Sequence, residues 1–273
     1  MSVLEAALAD PWADMQTVQG IGLGPGLGVP VAIGGHITAG ALLGAYRGAI
    51  FCQPRSDPEQ VALNRDLYEP DVRSGDIPVL PGDGDPYSVL WWSPPERYVI
   101  PVCGVRLGRT SRRALRSCTW TTTVDADFEG VLAACRGERE PRWITDDLIA
   151  ALRELHAAGW ARSVEVWDGD RLIGGLFGCA LAGVFVMDSA FHREPEAAKV
   201  AIADLARRAA GNGIRLLDTQ VRTEYTVRMG AFPLPRAEYL AHLSADDGPG
   251  VIDTHAGTVQ DLLVGSGDGC SRA

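Results

Sequence analysis

The sequence has no run of 18 or more apolar residues, which argues against a helix that crosses a membrane. Its first residues carry Glu5, Asp10 and Asp14 where a secretory signal would carry basic residues, so no such signal is expected. Lysine is almost missing: Lys199 stands alone, and arginine supplies the rest of the 25 basic residues. The six cysteines (Cys52, Cys103, Cys118, Cys135, Cys179 and Cys270) form no C-x-x-C pair and no zinc-like spacing with a histidine. That is the usage of reduced thiols in a cytosolic protein, and no metal site is expected. A net charge of −10 argues against nucleic-acid binding through the whole surface, while leaving room for a local basic patch.

At 273 residues the chain is long enough for one large domain or two small ones. Residues 1–35 begin with a short helical stretch and turn Gly- and Pro-rich. The run Gly20 to Gly28 never satisfies G-x-G-x-x-G and is broken by Pro25, so it reads as a loop and not as a phosphate cradle. A helix follows from Thr38 to about Gly48. Residues 53–87, rich in Pro, Asp and Gly, read as a surface insertion loop. Strands are expected over Ser88–Trp92 and Tyr98–Val102, and a short basic helix over Ser111–Ser117.

From there the pattern becomes regular. Thr119–Val124 reads as a strand and Asp127–Cys135 as a helix. Thr145 is a good N-cap for a helix running to His156 and stopped by Gly159. Strands follow at Ser163–Trp167, Arg171–Ala180 and Val184–Ser189, the first two joined by the hairpin signal Asp168-Gly169. A helix over Pro195–Ala210 ends at Gly211-Asn-Gly213, a strand over Ile214–Val221 comes next, and a helix, a strand and a helix close the pattern by Leu243. Residues 244–273 show little apolar periodicity and are expected to be a disordered tail. This order predicts an α+β fold with a mostly antiparallel sheet, similar to the acyltransferase fold known as GNAT. The expected division is a small α+β N-terminal domain over 1–104 and an acyltransferase-like catalytic domain over 105–243.

Several segments, in order, resemble the bacterial leucyl/phenylalanyl-tRNA–protein transferases. They are Leu42-Leu-Gly-Ala-Tyr-Arg-Gly-Ala-Ile-Phe51, Leu90-Trp-Trp-Ser-Pro94, Trp143-Ile-Thr145, His156 with Gly159, Ser163-Val-Glu-Val-Trp167 and Leu172-Ile-Gly-Gly-Leu-Phe-Gly178. Asp188-Ser-Ala-Phe191, Ala198-Lys199, Leu217-Asp-Thr-Gln-Val221, Met229-Gly230 and Pro235-Arg-x-x-Tyr-Leu240 continue the series. The resemblance implies an enzyme that uses aminoacyl-tRNA where its fold relatives use acetyl-CoA. It would move Leu or Phe, and Met less well, onto proteins that begin with Arg or Lys, marking them for N-end-rule degradation in the cytoplasm. It implies no metal, no organic cofactor and a monomer.

The chemistry of such a transfer is modest. An amino acid on tRNA is an activated ester, and an α-amino group titrates near pH 8, so a useful fraction is neutral and nucleophilic. The enzyme has to hold amine and ester together, help the amine lose its proton and stabilise the oxyanion. Asp218 and Gln220, two apart on the expected strand, would share a face and handle that proton. Asp188, expected at the end of its strand where the family has Glu, would bind the acceptor's cationic amine or basic side chain. Leu176 and Phe185 stand at positions that line the family's apolar aminoacyl pocket, Leu176 in place of the usual methionine. Ala190, in place of another usual methionine, would enlarge that pocket, with plain core packing as the rival reading. Trp92 and Trp143 are candidates for stacking on the unpaired tRNA end, and of Trp91, Trp92 and Trp143 at least one is expected to be core only. Arg106, Arg109, Arg112, Arg113 and Arg116 form a dense basic cluster suited to tRNA phosphates.

Other readings remain open at this point. The insertion, the Asp at 188 and the altered pocket also fit transfer of an amino acid to a small-molecule amine. An acyl-CoA N-acyltransferase is a further alternative, although the pyrophosphate loop of that fold is missing before Ala197. A catalytically silent tRNA-binding protein is the last.

Overall fold

A computed structural model describes residues 28–137, 142–243 and 248–264. The Gly20–Gly28 loop, apart from its last residue, and the short helical start lie outside them. The described chain is a mixture of helices and sheets, an α+β fold, and it divides into two compact units.

The first unit draws on Met1–Glu96, Arg136–Ala157 and Pro235–Leu240. Its sheet has strands β1 (Ala32–Gly34), β2 (Phe51–Pro54), β3 (Val79–Leu80) and β4 (Val89–Trp92), in the order β2-β4-β1-β3. Helix α1 (Ala39–Arg47) starts where expected, because the Thr38 side chain accepts from the Ala41 amide at 3.1 Å. Residues 53–87 carry more structure than an insertion loop. They hold the 17-residue helix α2 (Pro58–Ser74), capped by Asp57 and closed by Gly75 in the left-handed region, and the strand β3. The Pro and Asp that read as loop signals are, in part, this helix's own start: Pro58 is its first residue and Asp57 its cap. Asn64 ties α2 down by donating to the Tyr87 carbonyl at 2.9 Å.

The second unit draws on Arg97–Cys135, Ala158–Leu234 and Ala241–Ala273. Its sheet runs β11-β5-β10-β9-β8-β7-β6-β12. The strands are β5 (Glu96–Pro101), β6 (Thr121–Val124), β7 (Ala161–Asp168), β8 (Arg171–Ala180), β9 (Val184–His192), β10 (Leu216–Asp218), β11 (Phe232–Pro235) and β12 (Gly257–Thr258). β7 and β8 form the expected hairpin, with Gly169 at φ +58° in its tip. β9 and β10 run parallel, so a crossover must join them, and helix α6 (Ala197–Ala209) makes it, lying on β7, β8 and β9. Helices α3 (Arg109–Leu115) and α4 (Phe128–Arg136) precede α6, as does α5 (Asp146–Ala157), which belongs to the first unit; α7 (Glu224–Met229) and α8 (Arg236–Leu240) follow it.

The predicted tail is corrected by the described part of its span. Residues 257–264 form β12 and helix α9 (Val259–Val264), and Ile252, Val259 and Leu262 enter the core of the second unit. Low periodicity misled because anchoring here is polar. The Arg208 guanidinium, wholly buried, donates to the carbonyls of Asp253, His255 and Thr122 and pairs with buried Asp204.

Candidate functional site

Two irregularities open the middle of the larger sheet. The parallel ladder between β10 and β9 ends at Asp218 opposite Val186, while β9 continues for six residues more. One strand on, the β8–β9 register slips: Phe177 faces Ser189 and Gly178 faces Met187, which leaves Asp188 as the extra residue of a β-bulge. Asp188 therefore does not end its strand, as expected, but is turned out of the ladder within it. Gly178 is what lets the bulge close, since a Cβ there would lie 1.9 Å from the Val186 carbonyl oxygen and 2.8 Å from the Phe185 ring.

The strand expected over 214–221 stops at Asp218, which corrects the argument that Asp218 and Gln220 share a strand face. They meet through a turn instead. Gln220 sits at φ +63°, in the left-handed region that a non-glycine residue adopts only when its surroundings hold it there. Three contacts do so. The Gln220 N–H donates to Asp218 Oδ1 at 2.7 Å, and both the amide and the hydroxyl of Thr219 donate to the Tyr98 carbonyl at 2.8 Å. The Gln220 side-chain amide then reaches across the end of β10 to donate to Asp188 Oδ1 at 3.0 Å.

Behind this pair lies a residue that sequence reading missed. Arg97 on β5 donates through Nε to Asp218 Oδ2 at 3.1 Å, and its Nη2 makes a second, shorter contact with the same oxygen. The two side chains are 1% and 0% exposed. A signal was present: Arg97 falls two residues before the buried Val99, in the inward phase of a strand, where a lone arginine needs an acid. Asp218 is thus engaged on both oxygens and shut off from solvent, whereas Asp188 and Gln220 are half-buried.

The remaining candidates are placed as follows. Leu176 and Ala190 are cross-strand partners and so share a sheet face, and the Phe185 ring lies over Gly178, two residues along β8 on that face. Leu176 and Phe185 are wholly inside the core, while Ala190 is exposed. Trp92 is corrected as a stacking platform: it stands on the inner strand β4 with 4% of its surface exposed and packs edge-on to Tyr68, and Trp91 is buried with its Nε1 donating to the Gly34 carbonyl. Trp143 is half-buried, just before α5. In and around α3, Arg106, Arg109, Arg113 and Arg116 are exposed, and half-buried Arg112 donates to the Leu107 carbonyl at 3.1 Å. On the buried side of α3, Ser111 hydrogen-bonds to Glu196, which Lys199 also holds. Among the described residues no three His, Cys, Asp or Glu side chains gather as a metal site.

The family model described as leucyl/phenylalanyl-tRNA protein transferase matches residues 99–244, which include Asp188, Asp218 and Gln220. The chain is 40% identical over 185 residues to the leucyl/phenylalanyl-tRNA–protein transferase of Jannaschia sp. (strain CCS1), covering 66% of this chain and 86% of the relative. It is 37% identical over 217 residues to that of Thiobacillus denitrificans, covering 78% and 82%. To that of Xanthomonas campestris pv. campestris (strain B100) it is 40% identical over 170 residues, covering 61% and 68%. The chain belongs to the leucyl/phenylalanyl-tRNA–protein transferase family. It is accordingly an aminoacyltransferase, and the Asp218–Gln220–Asp188 cluster lies inside the stretch that carries the family match. No described helix of this transferase is long and apolar enough to cross a membrane.

Proposed function

We propose that the protein moves Leu or Phe from charged tRNA to the N-terminal amine of cytoplasmic proteins that begin with Arg or Lys, for N-end-rule degradation. The observation that supports this most is the hydrogen bond between Gln220 and Asp188 at the open end of the β9–β10 pair. A parallel pair that parts beyond a crossover helix leaves a crevice at the strand ends, the usual place for a ligand. That arrangement also supports a GNAT-like reading of the second unit, with catalysis in the 105–243 stretch.

In this reading Asp188, the half-buried carboxylate, holds the acceptor amine and takes its proton. Gln220 spends its NH2 on Asp188, which leaves its Oε1 to accept from the amine and aim it. The amine nitrogen attacks the ester carbonyl, the C–N bond forms, the C–O bond to the tRNA ribose breaks, and the departing oxygen recovers the proton. Asp218 does not touch substrate; it fixes Gln220. The face carrying Leu176, Phe185 and Ala190 receives the aminoacyl side chain, Trp143 stacks on the tRNA end, and the α3 arginines contact phosphates. No cofactor is invoked.

Transfer of radiolabelled Leu from tRNA to a peptide starting with Arg, against the same peptide starting with Ala, tests this. Label on the Arg peptide alone is the expected result. Charged tRNA that binds but labels neither peptide would refute a protein acceptor and turn attention to small-molecule amines.

A further inference from the structure

We infer that Arg97 is a positioning residue of the transfer reaction, acting through Asp218 on Gln220; this rests on the function proposed above. A buried ion pair gains little net stability, because desolvating both charges offsets their attraction, and a pair of apolar residues would fill the same space at no loss. Arg97 and Asp218 are both essentially without exposure, in adjacent strands, with the apolar Val99, Ile100 and Leu217 as their neighbours. Stability therefore does not explain the pair. What the pair does accomplish is directional. Two guanidinium contacts hold Oδ2, which fixes the plane of the Asp218 carboxylate and presents Oδ1 to the Gln220 amide.

That amide is where the leverage lies. Gln220 stays in the left-handed region at φ +63°, and a non-glycine residue there costs of order 1–3 kcal/mol unless its surroundings impose it. If the carboxylate rotates, the peptide loses one of the contacts that impose it, and relaxation of the backbone swings the Gln220 side chain away from Asp188. The residues run Arg97, Asp218, Gln220, Asp188 in one hydrogen-bonded line from the sheet interior to the half-buried pair. Arg97 is the interior end of that line and never meets substrate.

The test is steady-state transfer to an Arg-starting peptide by full-length wild type, Arg97→Lys, Asp218→Asn and the double variant, with melting curves for each. Arg97→Lys keeps a buried cation but loses the planar fork. It should fold, keep wild-type KM values for charged tRNA and peptide, and lose at least about tenfold in kcat, a shift of about 1.4 kcal/mol in barrier. The double variant should be no slower than Asp218→Asn alone, since both act through one carboxylate. Arg97→Gln is the second variant, with the same expected kcat loss, should the lysine fail to fold. Wild-type kcat in either folded variant overturns the inference about Arg97 while leaving the function intact, as does a loss that multiplies with that of Asp218→Asn. A wild-type chain that transfers nothing overturns both.

Discussion

Replacing Asp188 with Asn keeps the size of the bulge residue and an oxygen for the Gln220 amide, but removes the charge. If Asp188 takes the acceptor's proton, Asp188→Asn lowers kcat/KM for peptide by about 100-fold or more, with tRNA affinity unchanged in a filter-binding assay. Gln220→Ala removes only the aiming group, and its loss should fall in kcat, on the order of tenfold to 100-fold. A second residue-scale prediction concerns Glu196. Burial alone would push its carboxyl up, but hydrogen bonds from Lys199 and Ser111 hold it below the ordinary value. A depressed carboxylate contributes stability above its unfolded value, about pH 4.3, and loses it as pH falls through the folded one. Glu196→Gln should therefore melt below wild type at neutral pH, with the gap closing in acid. That Asp188, Asp218 and Gln220 belong to one candidate site was legible from the sequence, and the structure brings the three together. How they meet was not: Asp218 and Gln220 were joined by strand periodicity, and nothing local encodes a glutamine held in the left-handed region by Tyr98, 122 residues upstream.

At the level of elements, the bulge and the arginine helix make separate predictions. A methyl group on Gly178 would collide with the Val186 carbonyl, which is backbone and cannot rotate away. Gly178→Ala should cost about 3 kcal/mol in urea denaturation and lower activity by disturbing Asp188. The arginines of α3 are expected to act through charge alone. Each one removed (Arg109→Ala, Arg113→Ala) should weaken charged-tRNA binding and reduce its dependence on log salt by about 0.9 if it contacts a phosphate of the duplex stem. Hairpins, caps and the long strands were read from the sequence within a few residues, because turn chemistry and apolar period are local. The same segments that carry the family resemblance also include pure structure. Buried Glu165, for instance, accepts from Thr123 and Ala126 and binds β6 to β7, while Arg236 braces the first unit by donating to Ser93 and the Gly48 carbonyl. A resemblance by itself does not separate those residues from the ones that react.

For the molecule as a whole, the described residues 248–264 are part of the second unit's fold. Ending the chain after residue 243 would strip β12 from β6, expose core positions that Ile252, Val259 and Leu262 cover, and leave the Arg208 guanidinium short of two carbonyl partners. Such a truncation should lower the melting temperature by several degrees. Sequence reading missed this because the anchors are far apart in the chain and mostly polar. The half-buried Asp188–Gln220 pair, inside the family-matched stretch, is proposed to carry aminoacyl transfer to a protein N-terminus. The most direct test is single-turnover transfer of labelled Leu from tRNA to an Arg-starting peptide, wild type beside Asp188→Asn, with tRNA saturating for both. Wild type should label the peptide rapidly and the variant at least about 100-fold more slowly. Equal rates in the two proteins would remove Asp188 from the transfer step.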